Sequence, residues 1–378
     1  MTSEAKKIKK IAVFTATRAE YGLLYWLMKA IEEHDDFQLQ LLVSGTHLSK
    51  LHGHTIDKVI EDGFQIDVEI NLDLSVQDSR LDVTHAMSKA TKGVADALQE
   101  LKPDMLVLLG DRYELLGAAS AALIMAVPIF HLHGGEITEG AYDDSIRHAV
   151  TKMATWHGVA NDEYKNRVIQ MGESENKVFT VGAMGLDNIK KLSLLSKVEL
   201  EQDLNFKFRE KTVLVTFHPV TNAENPIEGF LEMMEVLQQQ RDLHVIFTYP
   251  NADHGRNEIV SGINEFVKQY PNRSLCVKSL GQLKFLSALQ YVDVIIGNSS
   301  SGIFEASSFN IPTVNIGVRQ YGRIRASSVI DCDNQVESIQ AAVDKALTNN
   351  RLQNVVNPFG DGEASEKIMD IFSSLEFR

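Results

Sequence analysis

Cysteine is scarce in this chain. Its 378 residues hold two, Cys276 and Cys332, with no CxxC pair and no Cys/His cluster. That argues against a disulfide scaffold and against a structural zinc site. Long apolar runs are missing as well. None approaches the roughly 20 residues of a membrane-spanning helix. Residues Met1 to Lys10 are polar and lysine-rich and lack the apolar centre of a secretory signal. The cytoplasm is the expected location. Positive charge is in deficit, with 37 Lys and Arg against 51 Asp and Glu, for a net charge of −14. Nucleic acids and anionic membranes need a basic surface, so neither is an expected partner. Finally, no GxGxxG fingerprint follows any strand, which disfavours a tightly held nicotinamide. Neither a cofactor nor a metal is expected.

What remains suits a packed enzyme, 44% hydrophobic and 23% charged. The length implies two domains, occasionally three. Short apolar runs alternate with helical segments. Strands are expected at Ile11–Thr15, Leu39–Val43, Ile66–Ile70, Met105–Leu109, Ile129–Leu132 and Val178–Val181. Helices are expected at Glu20–His34, Leu81–Leu101 and Leu115–Met125. Residues 190–210 carry no strand signal. The alternation then restarts with Thr212–Thr216, Val245–Phe247, Leu275–Val277, Val292–Ile296 and Thr313–Ile316, and Glu363–Leu375 reads as a last helix. Apolar strands separated by helices imply parallel sheets buried on both faces, the doubly wound α/β pattern. The expected architecture is two Rossmann-like domains facing each other across a cleft. Residues 1–185 form the first, 186–362 the second, and 363–378 join the first.

Ligands of such sheets bind at the carboxyl ends of strands. The richest such end is Ile295-Ile296-Gly297-Asn298-Ser299-Ser300-Ser301-Gly302-Ile303-Phe304-Glu305. It reads as a buried strand, a Gly/Ser turn and a helix start with a carboxylate in its first turn. A helix start offers unpaired N–H groups to phosphate, and serine hydroxyls add donors. Glu305 suits the hydroxyls of a ribose. Arg18, where the first strand feeds a helix, suits a diphosphate clamp or is a surface arginine. Asp111 stands at a strand end and also at a helix N-cap position. Glu136 follows a diglycine after a strand and has no capping explanation. Asp143 and Asp144 open the next helix, where the dipole favours carboxylates. Crowded acids of this kind acquire separated pKa values suited to acid/base work. His131 and His133 alternate across a strand and lack metal-ligand spacing. In the second half His218 ends a strand, and Arg319 and Arg323 offer cations near another strand end.

Five pieces, in order along essentially the whole chain, carry a resemblance. They are Thr17-Arg18-Ala19-Glu20-Tyr21-Gly22, Gly110-Asp111-Arg112-Tyr113-Glu114, Gly134-Gly135-Glu136 with Asp143-Asp144-Ser145-Ile146-Arg147-His148, Asn298-Ser299-Ser300-Ser301-Gly302, and Arg319-Gln320-Tyr321-Gly322-Arg323. With them the chain resembles the hydrolysing UDP-N-acetylglucosamine 2-epimerases of the sialic-acid pathway, in the bacterial stand-alone form. The resemblance implies a GT-B fold with the active site in the interdomain cleft, and a homodimer or homotetramer. It implies the reaction of UDP-GlcNAc with water to N-acetylmannosamine and UDP. UDP is eliminated first, leaving 2-acetamidoglucal, and water then adds with inversion at C2.

By that resemblance Asp111, Glu136 and Asp144 stabilise the oxocarbenium and move the C2 proton, with Asp143 the alternative to Asp144. His218 acts with the departing diphosphate. Arg18, Arg112, Asp143, Ser299, Ser300, Ser301, Gly302, Glu305, Arg319 and Arg323 bind the UDP-sugar. An alternative substrate is UDP-2,4-diacetamido-2,4,6-trideoxyglucose, on the route to legionaminic-type acids. A GT-B glycosyltransferase and a non-catalytic UDP-sugar binder are the other readings. The clustered acids favour an epimerase over both.

Overall fold

A computed structural model describes residues 8–50, 54–74, 79–137, 142–220, 225–250, 255–348 and 352–377. The chain divides into two compact units, Met1–Asn188 with Phe359–Arg378, and Ile189–Pro358.

The first unit is built on strands β1 (Lys9–Thr15), β2 (Phe37–Ser44), β3 (Val68–Ile70), β4 (Met105–Leu109), β5 (Ile129–Leu132), β6 (Trp156–Val159) and β7 (Val178–Thr180). All pairs are parallel, in the order β3-β2-β1-β4-β5-β6-β7. Alternate residues of each strand serve opposite faces. Val13, Leu41 and Val107 share a core with Leu24, Met28 and Ile31 of the helix Arg18–Glu32 and with Ile368 and Phe372 of the helix Ala364–Ser374. Ala12, Phe14, Leu106 and Leu108 share another with Ala86, Ala90 and Val94 of the helix Arg80–Leu101. That helix stops at Lys102 (φ 48), ahead of Pro103.

Asp187 fastens the helix Ala364–Ser374. It is fully buried, and its two carboxylate oxygens accept from the backbone N–H groups of Ala364 and Ser365, each at 2.8 Å. These are two of the orphan donors of a helix start.

The second unit uses β8 (Thr212–Thr216), β9 (His244–Thr248), β10 (Ser274–Val277), β11 (Val294–Gly297), β12 (Thr313–Ile316) and β13 (Val329–Cys332). They are parallel in the order β10-β9-β8-β11-β12-β13. Both sheets therefore reverse their winding beside the first strand, between β1 and β4 and between β8 and β11. A crevice for ligands opens at each such reversal.

Two strands go beyond the sequence expectations. β6 reads Trp-His-Gly-Val, and Gly158 interrupts its apolar run for a packing reason: a Cβ there would lie 2.7 Å from Leu132 Cδ2. β13 is an edge strand broken by Asp331, without a continuous apolar run.

Candidate active site

At the carboxyl end of the first sheet, Arg147 is the organising residue. It sits in the helix Tyr142–Met153 and is 5% exposed. One guanidinium nitrogen donates to the Glu136 carbonyl (2.9 Å) and reaches Asp144 Oδ1 at 3.4 Å. The other pairs with the carboxylate of Asp111. Three segments, following β4, following β5 and opening a helix, thus meet at one planar cation. Asp144 Oδ2 also lies 3.4 Å from His148 Nε2. The N-cap of the helix Tyr113–Ile124 is Arg112, with no side-chain cap. The capping role open to Asp111 in the sequence is therefore not the one it takes.

Asp143 lies in the same first turn. Burial and then the charge of Asp111 push its carboxyl above the usual carboxylate range, against the pull of Arg112 and Arg147. Glu136 Oε1 lies 2.8 Å from His133 Nδ1. The diglycine before Glu136 is required by geometry. Gly135 has φ 78, and a Cβ there would stand 2.5 Å from the Tyr164 carbonyl oxygen. His131 is fully buried, and burial holds its pKa down to about 3, so it is neutral. Its Nε2 donates to the Gly110 carbonyl at 2.8 Å, which steadies the residue before Asp111.

Arg18 opens the helix Arg18–Glu32 and is exposed. Arg112 is half-buried. It makes a two-pronged pair with Glu114 (3.1 and 2.9 Å) and stands 4.0 Å from Glu20. Glu20 is buried, closes the cap of its own helix by accepting from the Thr17 N–H (3.3 Å), accepts also from the Ala16 N–H (2.8 Å), and is pushed up to about 7 by burial.

At the carboxyl end of the second sheet, the strand β11 runs into Gly297 (φ 135). Its position cannot hold a side chain, because a Cβ would lie 2.0 Å from the Thr216 carbonyl oxygen. Asn298 follows and is 1% exposed. Its side-chain amide grips the backbone of His218 at both ends, accepting from the N–H (2.7 Å) and donating to the carbonyl (2.8 Å). Its own carbonyl accepts from Gln320 Nε2 (2.8 Å) and Arg319 Nη1 (3.1 Å). Asn298 so joins the ends of β8, β11 and β12. Beside it opens a cavity of ≈ 380 Å³ whose wall includes His218, Lys278, Phe285, Ser299, Ser301 and Glu305. Burial pushes the Glu305 carboxyl up to about 7, against the charge of Arg323, and its buried Oε2 has no hydrogen-bond partner among the described residues. The Arg323 guanidinium lies over the Phe304 ring at 5.3 Å.

One expectation needs correction here. The helix after Ser300 is a single turn, Ser301–Phe304, and Glu305 closes it instead of lying in its first turn. So short a turn has little macrodipole. The N–H of Gly302 also donates to the Ser299 carbonyl (3.2 Å), and a Cβ there would meet Thr313 Cγ2 at 2.5 Å. Gly302 thus has a packing reason to be glycine, and its N–H is engaged within the turn. Of the serines, Ser299 and Ser301 reach the cavity wall, while Ser300 does not.

Sequence reasoning left out Arg147, His133 and Asn298 as site residues. Each acts on another residue of the chain, so position after a strand gives only a partial signal. For Asn298 the signal was a polar amide flush against a buried strand end.

Two parallel Rossmann-like units with polar residues gathered at their strand ends form a GT-B fold, the architecture of a class of nucleotide-sugar enzymes. Solved structures share it. UDP-GlcNAc 2-epimerase from Neisseria meningitidis, bound to UDP-GlcNAc, matches with a TM-score of 0.80 at 18% identity, over 97% of this chain and 100% of that one. UDP-GlcNAc 2-epimerase from Methanocaldococcus jannaschii matches with a TM-score of 0.76 at 19% identity, over 96% and 99%. The chain belongs to the UDP-N-acetylglucosamine 2-epimerase family, whose sequence model matches residues 29–373. It is 38% identical to the GDP/UDP-N,N′-diacetylbacillosamine 2-epimerase (hydrolyzing) of Campylobacter jejuni, over 92% of this chain and 89% of that one. It is 36% identical to the UDP-N,N′-diacetylbacillosamine 2-epimerase (hydrolyzing) of Legionella pneumophila, over 97% and 96%. A polysialic acid biosynthesis protein of Escherichia coli is also 36% identical, over 86% and 82%.

Proposed function

We propose that this protein is a hydrolysing 2-epimerase whose substrate is UDP-2,4-diacetamido-2,4,6-trideoxyglucose, that is, UDP-N,N′-diacetylbacillosamine. The observation that carries the chemistry is the gathering of Asp111, Asp144 and the Glu136 segment around the buried Arg147. The choice of sugar rests on the two hydrolysing relatives at 38% and 36% identity that bear this substrate's name. UDP-GlcNAc is the second reading, and a Neisseria meningitidis relative of that name is 27% identical. The sialic-acid assignment expected from the sequence gives way to the diacetamido sugar on this ground.

The C2 proton of such a sugar is a poor acid, so C1–O cleavage leads and the ring gains positive charge. Carboxylates stabilise that charge, and one of them takes the C2 proton as UDP departs. A 2-acetamidoglucal is left. Water then gives its hydroxyl to C1, and a proton returns to C2 on the opposite face. The products are the free 2-epimer and UDP. In the second unit Glu305 accepts from the ribose hydroxyls, Phe285 offers an aromatic face to the base, and His218, Ser299 and Ser301 donate to the diphosphate.

The test is NMR of the products from each nucleotide in D₂O. The expected result is release of the free 2-epimer with deuterium at C2, and a higher kcat/KM for the diacetamido nucleotide. Transfer of an unepimerised sugar to an acceptor, with no free 2-epimer, refutes the proposal. Glu136→Gln should abolish turnover while UDP still binds.

A further inference from the structure

His133 follows β5 directly and has φ 63, in the left-handed region that few non-glycine residues enter. Such a conformation at a strand end is a recognised mark of a functional constraint. Here it accompanies a defined hydrogen-bond arrangement. The backbone N–H of Met184 donates to His133 Nε2 at 3.2 Å. A ring nitrogen that accepts from an amide holds no proton. In the neutral ring the proton is therefore on Nδ1, which lies 2.8 Å from Glu136 Oε1. The side chains of both residues are 16% exposed, so the contact is largely shielded from water.

We infer that His133 is a positioning residue for Glu136: its Nδ1–H fixes the rotation of the Glu136 carboxylate and stabilises its ionised form. The inference rests on the reading of Glu136 as a reacting acid. Met184 fixes the imidazole tautomer, as second partners do for histidines elsewhere. The left-handed turn at His133, followed by Gly135 at φ 78, folds the chain back so that residues three apart face each other. Two arginines also reach the backbone of this turn. From the helix Tyr142–Met153, Arg147 donates to the Glu136 carbonyl and pairs with Asp111 and Asp144. From the helix Asp162–Gln170, Arg167 donates to the Gly135 carbonyl. A donor to the charged form lowers a carboxylate's proton affinity, which keeps a base ready at neutral pH.

Two variants separate the donor from the backbone. His133→Asn tolerates the left-handed conformation and carries an amide N–H where Nδ1–H stood. His133→Gly keeps the conformation and deletes the donor. Kinetics from pH 5 to 9 and the ¹⁵N imidazole spectrum of the intact protein are the readouts. In His133→Gly, kcat is expected to fall about ten- to hundredfold, the loss of one hydrogen bond to a charged group. Its KM should change little, and the acid limb of its kcat profile should move up by about one pH unit. His133→Asn should restore most of kcat and the position of that limb.

Wild-type kcat and pH profile in His133→Gly overturn the inference. Equal losses in both variants overturn it too, since the ring's packing would then be what matters. A spectrum with the proton on Nε2 refutes the dyad without any turnover. If Glu136→Gln keeps full activity, the functional reading of Glu136 fails, and the spectrum still reports whether the dyad exists.

Discussion

Replacing Arg147 by lysine keeps the charge and removes the planar fork. The Arg147 side chain is 6% exposed, and its partners Asp111 and Asp144 are 26% and 30% exposed. The guanidinium serves two carboxylates and the Glu136 carbonyl from fixed directions. A single ammonium nitrogen on a flexible stem cannot meet all three. Breaking one partner from a fully buried pair costs about 3–5 kcal/mol. Here the carboxylates can partly rehydrate, so a loss of about 2–3 kcal/mol is expected. At about 2–4 °C per kcal/mol for a unit of this size, the transition of the first unit should fall by about 4–12 °C in a calorimetric scan. Turnover should fall at least tenfold, because the acids lose their common anchor. UDP affinity, measured by titration calorimetry, should stay unchanged, since the cavity is lined by residues of the second unit. Adding Asp111→Asn should cost less than the two single changes summed, because the residues share one interaction. A melting point within about 1 °C of wild type, together with undiminished kcat, refutes this account of the cluster.

Three further outcomes follow from the geometry. Glu305 is pushed from 4.5 to about 7 by burial, and its ionised form is the one that accepts from ribose. UDP affinity should therefore rise with pH through about 7, with proton release visible as buffer-dependent binding heat, and a flat profile between pH 6 and 8 counts against it. The same raised value means that this carboxyl favours the folded state below about 4.5 and loses that contribution as pH rises through about 7. Asn298→Asp removes the donor to the His218 carbonyl and should weaken UDP binding about tenfold; unchanged affinity would show that the clamp does not set His218. Asp187→Ala leaves two helix-start donors buried and unpaired, and should cost about 2–4 kcal/mol in chemical denaturation of the first unit.

The frame of both units was legible because parallel strands are apolar on both faces. β4, β5, β8 and β12 span the residues expected of them. β6 and β13 escaped because a packing glycine and an edge aspartate interrupt their runs. In the site, the strand-end rule pointed to the segments that Arg147 draws together. It did not give Arg147 its own part, because that part is a contact among segments distant in sequence. Asp111 illustrates the other limit. A carboxylate just before a helix reads as a cap, yet the helix begins one residue later and leaves Asp111 to the guanidinium. The packing of Gly302 against Thr313 was likewise out of reach, because it too joins segments apart in the sequence.

The placement of the helix Ala364–Ser374 has a consequence for synthesis. Phe372, Ile368 and Ala364 belong to the same core as Val13 and Leu41, yet residues 189–358 lie between them in the chain. On the ribosome the first sheet must wait, with one face only partly covered by the helix Arg18–Glu32, while the whole second unit is translated and free to fold. The unit that begins the chain is thus the last to be completed. Its unfinished apolar face, held open through the translation of those residues, is where a chaperone would bind and where a stalled chain would aggregate.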